Sequence, residues 1–524
     1  MSLHVDHDLD TRQHSLMSSK EPGGNPPEVR RHRHPWSPVL AGLGLLVVLT
    51  AGLNKALLFR SLQYPGSDFY SFLEMTWSWL YAGRLLHDNV YGYHSAIHNF
   101  YGMLAFAPLT LLLGAYGLIL GLVLVHAAAV VRVAGCRALD RCARLMILSG
   151  VLSPLAFFVF DNPRWGFHPE LLYPPLALLL AVELLEGWSW RAVVLAGVIV
   201  IIKEDGAVVC AAVVLAHTAW RVSTLWKTSR NEAWRALRSG AVSLLVLTAV
   251  FLAGLALLFL TSELFAETQE TFGDRLVGSL KRLARTLEGH GRVRLPRIKD
   301  SLEILAALSL LLLLPLGRRL PKGLALLAIA VPPLVVVLLV SAGPYRFHEM
   351  LWAPRVATIM VAVVAALVFA SPTPPGRRHT SLAAVLALAA VSWGGQLGLL
   401  HHMSYPIVSR IKVLASAFGP PESPLTPVED RGLRCVAARL PRGLPVSTVW
   451  DVHPVFHRQS IVFETREVHA WQAPRLRVVF AAGDTRSRAE GHCRGPVFGA
   501  FAVEAECKLL PLIAACDMLG EDSP

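Results

Sequence analysis

"GVIVIIKEDGAVVCAAVVLAH", residues 197–217, sets Lys203, Glu204 and Asp205 side by side inside an apolar run. Charged side chains are costly at the centre of a bilayer, so the place of this triplet decides how the chain is threaded. The apolar stretch before it, 193–202, holds only ten residues. At 1.5 Å per residue such a helix rises roughly 15 Å, about half a hydrocarbon core. Starting at the inner interface, it reaches the outer side only through polar residues or a water-filled recess. The run from Gly206 to Trp220 is apolar again and descends. The triplet is therefore read as the outer apex of a helical hairpin.

The whole chain supports a membrane setting for that hairpin. Of its 524 residues 54% are hydrophobic and 16% charged, and the mean hydropathy is +0.48. A soluble protein carries about 25% charged residues. The apolar residues also come in long blocks, which predicts a polytopic all-α transmembrane bundle of about 11–13 helices. The formal net charge is +12, with basic clusters at 30–33, 132–144, 221–238, 318–322 and 377–378. Each adjoins an apolar block, as the positive-inside rule expects of cytoplasmic loops. No stacking motif or basic groove accompanies them, so the expected partner is the lipid bilayer and not a nucleic acid.

Threading follows from this. Residues 1–36 are polar and rich in Pro, Gly, His and Arg, and read as a disordered basic cytoplasmic tail. The block 37–59 is long enough to span and too long for a signal-peptide core, so no cleavable signal is expected. A transmembrane domain over 37–403 then has outer loops at 60–98, 161–170, 203–206, 262–301 and 341–350. The first holds "YPGSDFYSFLEMTWSWLYAGRL" (64–85), whose mixed aromatics and charges suit a short helix lying along the interface. The stretch 100–131 is too long for one helix and carries Gly114 near its middle, which predicts a short re-entrant or interfacial helix and then a span.

After Tyr405 the character changes. "GPPESPLTP" (419–427) reads as a linker, and 404–524 as a small extracytoplasmic α/β domain. "EDRGLRCVAARL" (429–440) is amphipathic and helical, while "LPVSTVW" (444–450), "QSIVFET" (459–465) and "RLRVVFAA" (475–482) read as strands. Of the seven cysteines, Cys435, Cys493, Cys507 and Cys516 fall here. An even number suits disulfides in an oxidising compartment, although spacing does not give the pairing and buried reduced thiols are the other reading.

On this threading the polar residues gather on the outer side: Asp68 and Glu74, His94 and His98, Asp161, His168 and Glu170, the 203–205 triplet, and Arg346, His348 and Glu349. Together they predict a charged, water-accessible cavity capped by the interfacial helix. Each also has a plainer reading. Asp68 in a first turn after Ser67 complements a helix dipole. Asp68 and Glu74 stand six residues apart, roughly 240° around a helix, and cannot converge while it is regular. His168 before Pro169 suits a loop, Lys203 can pair with Asp205 or Glu170, and Arg346 can anchor at the interface. HExxH, CxxC pairs, GxSxG and a P-loop are absent from the sequence.

"GFHPELL" (166–172) followed by "KEDG" (203–206) resembles a bacterial polytopic membrane family known as domain of unknown function 2079, itself similar to the GT-C glycosyltransferases. The resemblance extends to "SDFYSFLEMTW" (67–77), through Asp68 and Trp77, and to "ARLPRGLPVSTVWDVHPVFHRQSIVFE" (438–464). It departs where the family's second acid is replaced by Leu73, with Glu74 one position on. It departs again where His98, Asn99, Phe100 and Tyr101 stand for His-Phe-Ser-Pro, and where Phe160 and Asp161 are set apart from "FHPE".

The resemblance implies a GT-C-like fold in a bacterial cytoplasmic (inner) membrane, and a polyprenyl-phosphate sugar as donor. Catalytic residues would be Asp68, Glu74, His168 and Glu170, with Asp68 as general base. Lys203, Arg346, His348 and His98 would bind the donor phosphate. Glu204 and Asp205 would hold a divalent cation, Mg or Mn. A transporter or flippase of a lipid-linked or polar solute is the alternative, because charged hairpin tips also line translocation paths.

Overall fold

The computed structural model describes residues 37–64, 67–89, 92–96, 98–137, 166–187, 190–226, 228–265, 423–463, 473–481 and 491–517, with short pieces at 139–152 and 273–394. The expectations for the N-terminal tail, Cys142, Asp161, the spans after 300, and Arg346, His348 and Glu349 fall outside the described residues.

Helix α1 (Ser37–Arg60) and α4 (Ala115–Gly135) pack through small residues. A Cβ on Gly44 would stand 2.5 Å from Val130 Cγ1, and one on Gly52 2.3 Å from Val123 Cγ2. The two glycines are eight residues apart on one face, so the backbone of α1 comes close to the valines of α4. Where lipid tails are as apolar as leucine, such packing holds helices together. The opposite face of α1 leaves Leu43, Leu46, Leu49 and Leu53 exposed.

Between them run α2 (Ser67–Tyr81), a two-residue hairpin of β1 (His87–Asp88) with β2 (Gly92–Tyr93), a 3-10 turn (Tyr101–Phe106) and α3 (Ala107–Leu113). The expected break at Gly114 is present, with φ +61 separating α3 from α4. After a 3-10 turn at Pro169–Leu172 come α5 (Tyr173–Glu186), α6 (Trp190–Ile202), α7 (Gly206–Leu225) and α8 (Arg230–Phe265). The hairpin read from the sequence is α6 and α7, with Lys203–Asp205 as its apex. Gly206 permits its tightness, because a Cβ there would stand 2.0 Å from Ile199 O.

The helices α1, α4 and α8 are long and apolar enough to cross a membrane. Arg132 near the end of α4 meets Glu183 (2.6 Å) and Glu186 (2.5 Å) at the end of α5, so these two helices run in the same direction. At the other end Asn99 Nδ2 donates to Gly254 O (2.9 Å) and Thr261 Oγ1 to Ser95 O (2.8 Å), which fixes the end of α8 beside residues 94–100.

The C-terminal region is the expected α/β fold. Helix α9 (Pro427–Arg439) opens with a capping box between Thr426 and Glu429. Strands β3 (Pro445–Thr448), β4 (Ser460–Phe463) and β5 (Leu476–Phe480) match the three predicted. Two further strands, β6 (His492–Phe498) and β7 (Phe501–Glu506), were not foreseen. The mixed sheet has the order β4-β3-β5-β7-β6, with β3 parallel to β4 and β5 and the remaining pairs antiparallel. Disulfides Cys435–Cys516 and Cys493–Cys507 tie α9 and β6 to the segment after β7, while Cys136 and Cys210 are free and buried.

Candidate functional site

Three backbone turns meet at one end of the helices, and the 203–205 triplet bonds to each. Lys203 Nζ lies 2.7 Å from Glu170 Oε1 and 5.4 Å from the centre of the Phe100 ring. Glu170 is fully buried, and its other oxygen meets His168 Nδ1. Glu204 contacts His98 Nδ1 at 2.7 Å and accepts from the Asn99 backbone N–H at 3.3 Å. Asp205 accepts from the Tyr173 hydroxyl at the start of α5. The three adjacent side chains thus fan out to segments 98–99, 168–170 and 173.

Of the two pairings open to Lys203, the structure takes Glu170. Burying opposite charges is tolerable only when they are paired and bonded, and here each carboxylate has a donor. Removing one partner leaves a charge with neither water nor counter-ion. Aromatic rings close the surroundings: Phe72 of α2 packs edge-on against His168 at 4.6 Å and against Phe100 at 5.1 Å.

Asp68 is half-buried in the first turn of α2. It stands four residues before Phe72, on the same face of the helix and one turn from the ring that touches His168. Glu74 is not part of this group. The regular helix turns it away from Asp68, as the 240° separation requires, and buries it against the C-terminal domain. There it accepts from Ser460 Oγ of β4 and from the Asn89 N–H at 3.4 Å, and Asn89 Nδ2 also donates to Ser460. Burial first, and the Asp88 carboxylate second, raise the Glu74 carboxyl well above its ordinary range, against the Ser460 and Asn89 bonds.

Lys55, to which sequence reasoning assigns no role, belongs beside the site. It is fully buried in α1, donates to Gly166 O at 2.5 Å and lies 4.8 Å from the Tyr64 ring. It therefore holds the first residue of the 166–170 turn. The signal was present in "GLNKALLF" (52–59), an Asn-Lys pair inside a spanning block.

Glu204 and Asp205 turn to different partners, and among the described residues no three His, Cys, Asp or Glu side chains converge in a way that could hold a metal ion. What the arrangement offers is one ammonium, two imidazoles and three carboxylates within bonded chains, roofed by aromatics. Comparison of the chain with known protein families, with curated proteins and with solved structures finds no match.

Proposed function

We propose that this chain is a multi-pass protein of the bacterial cytoplasmic membrane, with its N-terminus inside and its C-terminal domain outside. We propose further that it works as a GT-C-type glycosyltransferase, moving a sugar from a polyprenyl-phosphate donor to an envelope acceptor. The motif resemblance to the family of unknown function 2079 is part of this reading. The exposed leucine row on α1 supports burial in lipid. The two disulfides support an oxidising compartment for the C-terminal domain.

One observation carries the catalytic reading. A buried ammonium, Lys203, and two imidazoles, His98 and His168, are joined in bonded pairs at the loop-bearing end of apolar helices, and the half-buried Asp68 stands one helical turn from Phe72, whose ring packs on His168. In the reaction Asp68 takes the proton of the acceptor hydroxyl as that oxygen attacks the anomeric carbon. The bond from that carbon to the phosphate oxygen breaks, and the polyprenyl phosphate leaves with the electron pair. Lys203, positioned by Glu170, stabilises the phosphate charge as it develops, in a site where few water molecules compete.

The test is transfer by the purified protein from a radiolabelled polyprenyl-phosphate sugar, guided by mass spectrometry of lipid-linked sugars and envelope glycans in a deletion strain. Asp68→Asn should lose at least about 100-fold in rate with unchanged thermal stability. Transfer at the wild-type rate would sink the proposal.

A transporter is the second reading. It is favoured by two neighbouring chains of titratable groups, His98–Glu204 and His168–Glu170–Lys203, which suit proton relay. Unchanged glycans in the deletion strain, together with proton-coupled solute uptake in proteoliposomes, would establish it instead.

A further inference from the structure

Four arginines from distant parts of the chain meet where the C-terminal domain seats on the helices. Arg60 is the last residue of α1, and its carbonyl accepts from Arg434 Nη2 of α9 at 3.1 Å. Arg442, in the turn before β3, donates to Leu111 O of α3. Arg458 follows His457, whose Nδ1 accepts the backbone N–H of Ala115, the first residue of α4, at 3.1 Å. That bond requires Nδ1 to carry no proton. Burial first, then the positive charges of Arg458, Arg434 and Arg442, push the His457 imidazole down to about 3.

The carboxylates of the described residues do not balance this charge. Among the described residues, Asp430 pairs with Arg434 at 2.8 Å, and Arg60, Arg442 and Arg458 are exposed with no carboxylate partner. Four arginines less Asp430 leave three positive charges beside a neutral His457. Guanidinium forks match phosphate oxygens two at a time. The position selects the kind of phosphate. Arg60 closes α1 and Ala115 opens α4, both long and apolar enough to cross a membrane. Their ends at this seam mark where hydrocarbon gives way to headgroups.

We propose that this arginine seam binds the phosphate of an anionic phospholipid headgroup in the outer leaflet, and so holds the C-terminal domain down on the bilayer. The inference rests on the membrane orientation proposed above but not on glycosyl transfer. Lipid retention and transfer are read separately: Asp68→Asn should abolish transfer and leave lipid retention intact.

The experiment is native mass spectrometry of the full chain in detergent, with phosphatidylglycerol and phosphatidylcholine supplied equally. The wild type should retain phosphatidylglycerol in preference, and Arg60→Gln and Arg458→Gln should each reduce that preference by about fivefold. Arg458→Lys keeps the charge without the fork and should fall between. Equal retention of the two lipids by the wild type overturns the proposal, whatever the variants do. So does an undiminished preference in a double Arg60→Gln, Arg458→Gln protein. A third arm adds inorganic phosphate: if millimolar phosphate displaces the lipid and raises the melting temperature as the lipid does, the seam takes a soluble anion and the lipid assignment fails.

Discussion

Lys203 Nζ stands 2.7 Å from Glu170 Oε1, joining the apex of one hairpin to a turn 33 residues earlier, and both side chains are buried. Each depends on the other for its charge. Lys203→Met should cost about 3–5 kcal/mol, because Glu170 is left without its cation. The double variant Lys203→Met, Glu170→Gln should recover a large part of that loss. Thermal unfolding in detergent measures both, and additive single effects would mean the pair is not coupled.

Gly166 is the joint on which that turn rests. Its φ is +68, and a Cβ would stand 2.6 Å from Phe69 Cδ2. Gly166→Ala should therefore destabilise by about 1–3 kcal/mol and disturb the Lys55 bond to Gly166 O. Gly135→Ala is the control, since nothing lies within 4 Å of a Cβ there. Equal melting temperatures for the two variants would contradict the close approach.

Acid should loosen the C-terminal domain. His457 has its imidazole lowered from an ordinary 6.5 to about 3, mainly by burial and then by three arginines. A folded-state value below the unfolded one means the unseated form takes up the proton first. The contribution is complete above about pH 6.5 and is lost as pH falls toward 3. Hydrogen exchange at the Ala115 amide should speed up over that interval, after correction for intrinsic rates. His457→Asn, which keeps an acceptor that does not titrate, should flatten the dependence.

The disulfides make a direct prediction for peptide mapping without reductant: Cys435 linked to Cys516 and Cys493 to Cys507. The first closes a separation of 81 residues and the second one of 14. On loop entropy they stabilise by about 4–5 and 3 kcal/mol respectively. Crossed pairs, or free thiols at these four positions in protein purified from membranes, would refute the pairing.

The sequence was most informative where period and length act alone. Apolar block lengths set α1 and α4, Gly114 the break between α3 and α4, and the short run before Lys203 the α6–α7 apex. Alternating apolar residues gave β3, β4 and β5. "FAVEAE" (501–506) alternates too, but its small alanines and the Gly499 just before it hid β7, and β6 with Gly495 and Pro496 inside it was harder still. The 240° between Asp68 and Glu74 is a property of any regular helix, so their separation was legible before the fold.

Which residue bonds to which was decided only by the tertiary structure. Lys203 had two acids within reach on paper, and only the packing of the 166–172 turn against α6 and α7 brings Glu170 to it. Glu204 and Asp205 read as a cation pair because adjacent acids look alike in a sequence. At the hairpin apex their side chains diverge, one to His98 and one to Tyr173. Lys55, Ser460 and His457 entered the account only when chain segments more than a hundred residues apart met. Local spacing fixes period and length through the geometry of one element. The partner of a buried charge is set by whatever the rest of the chain places against it, because a charge removed from water takes the nearest group able to bond it.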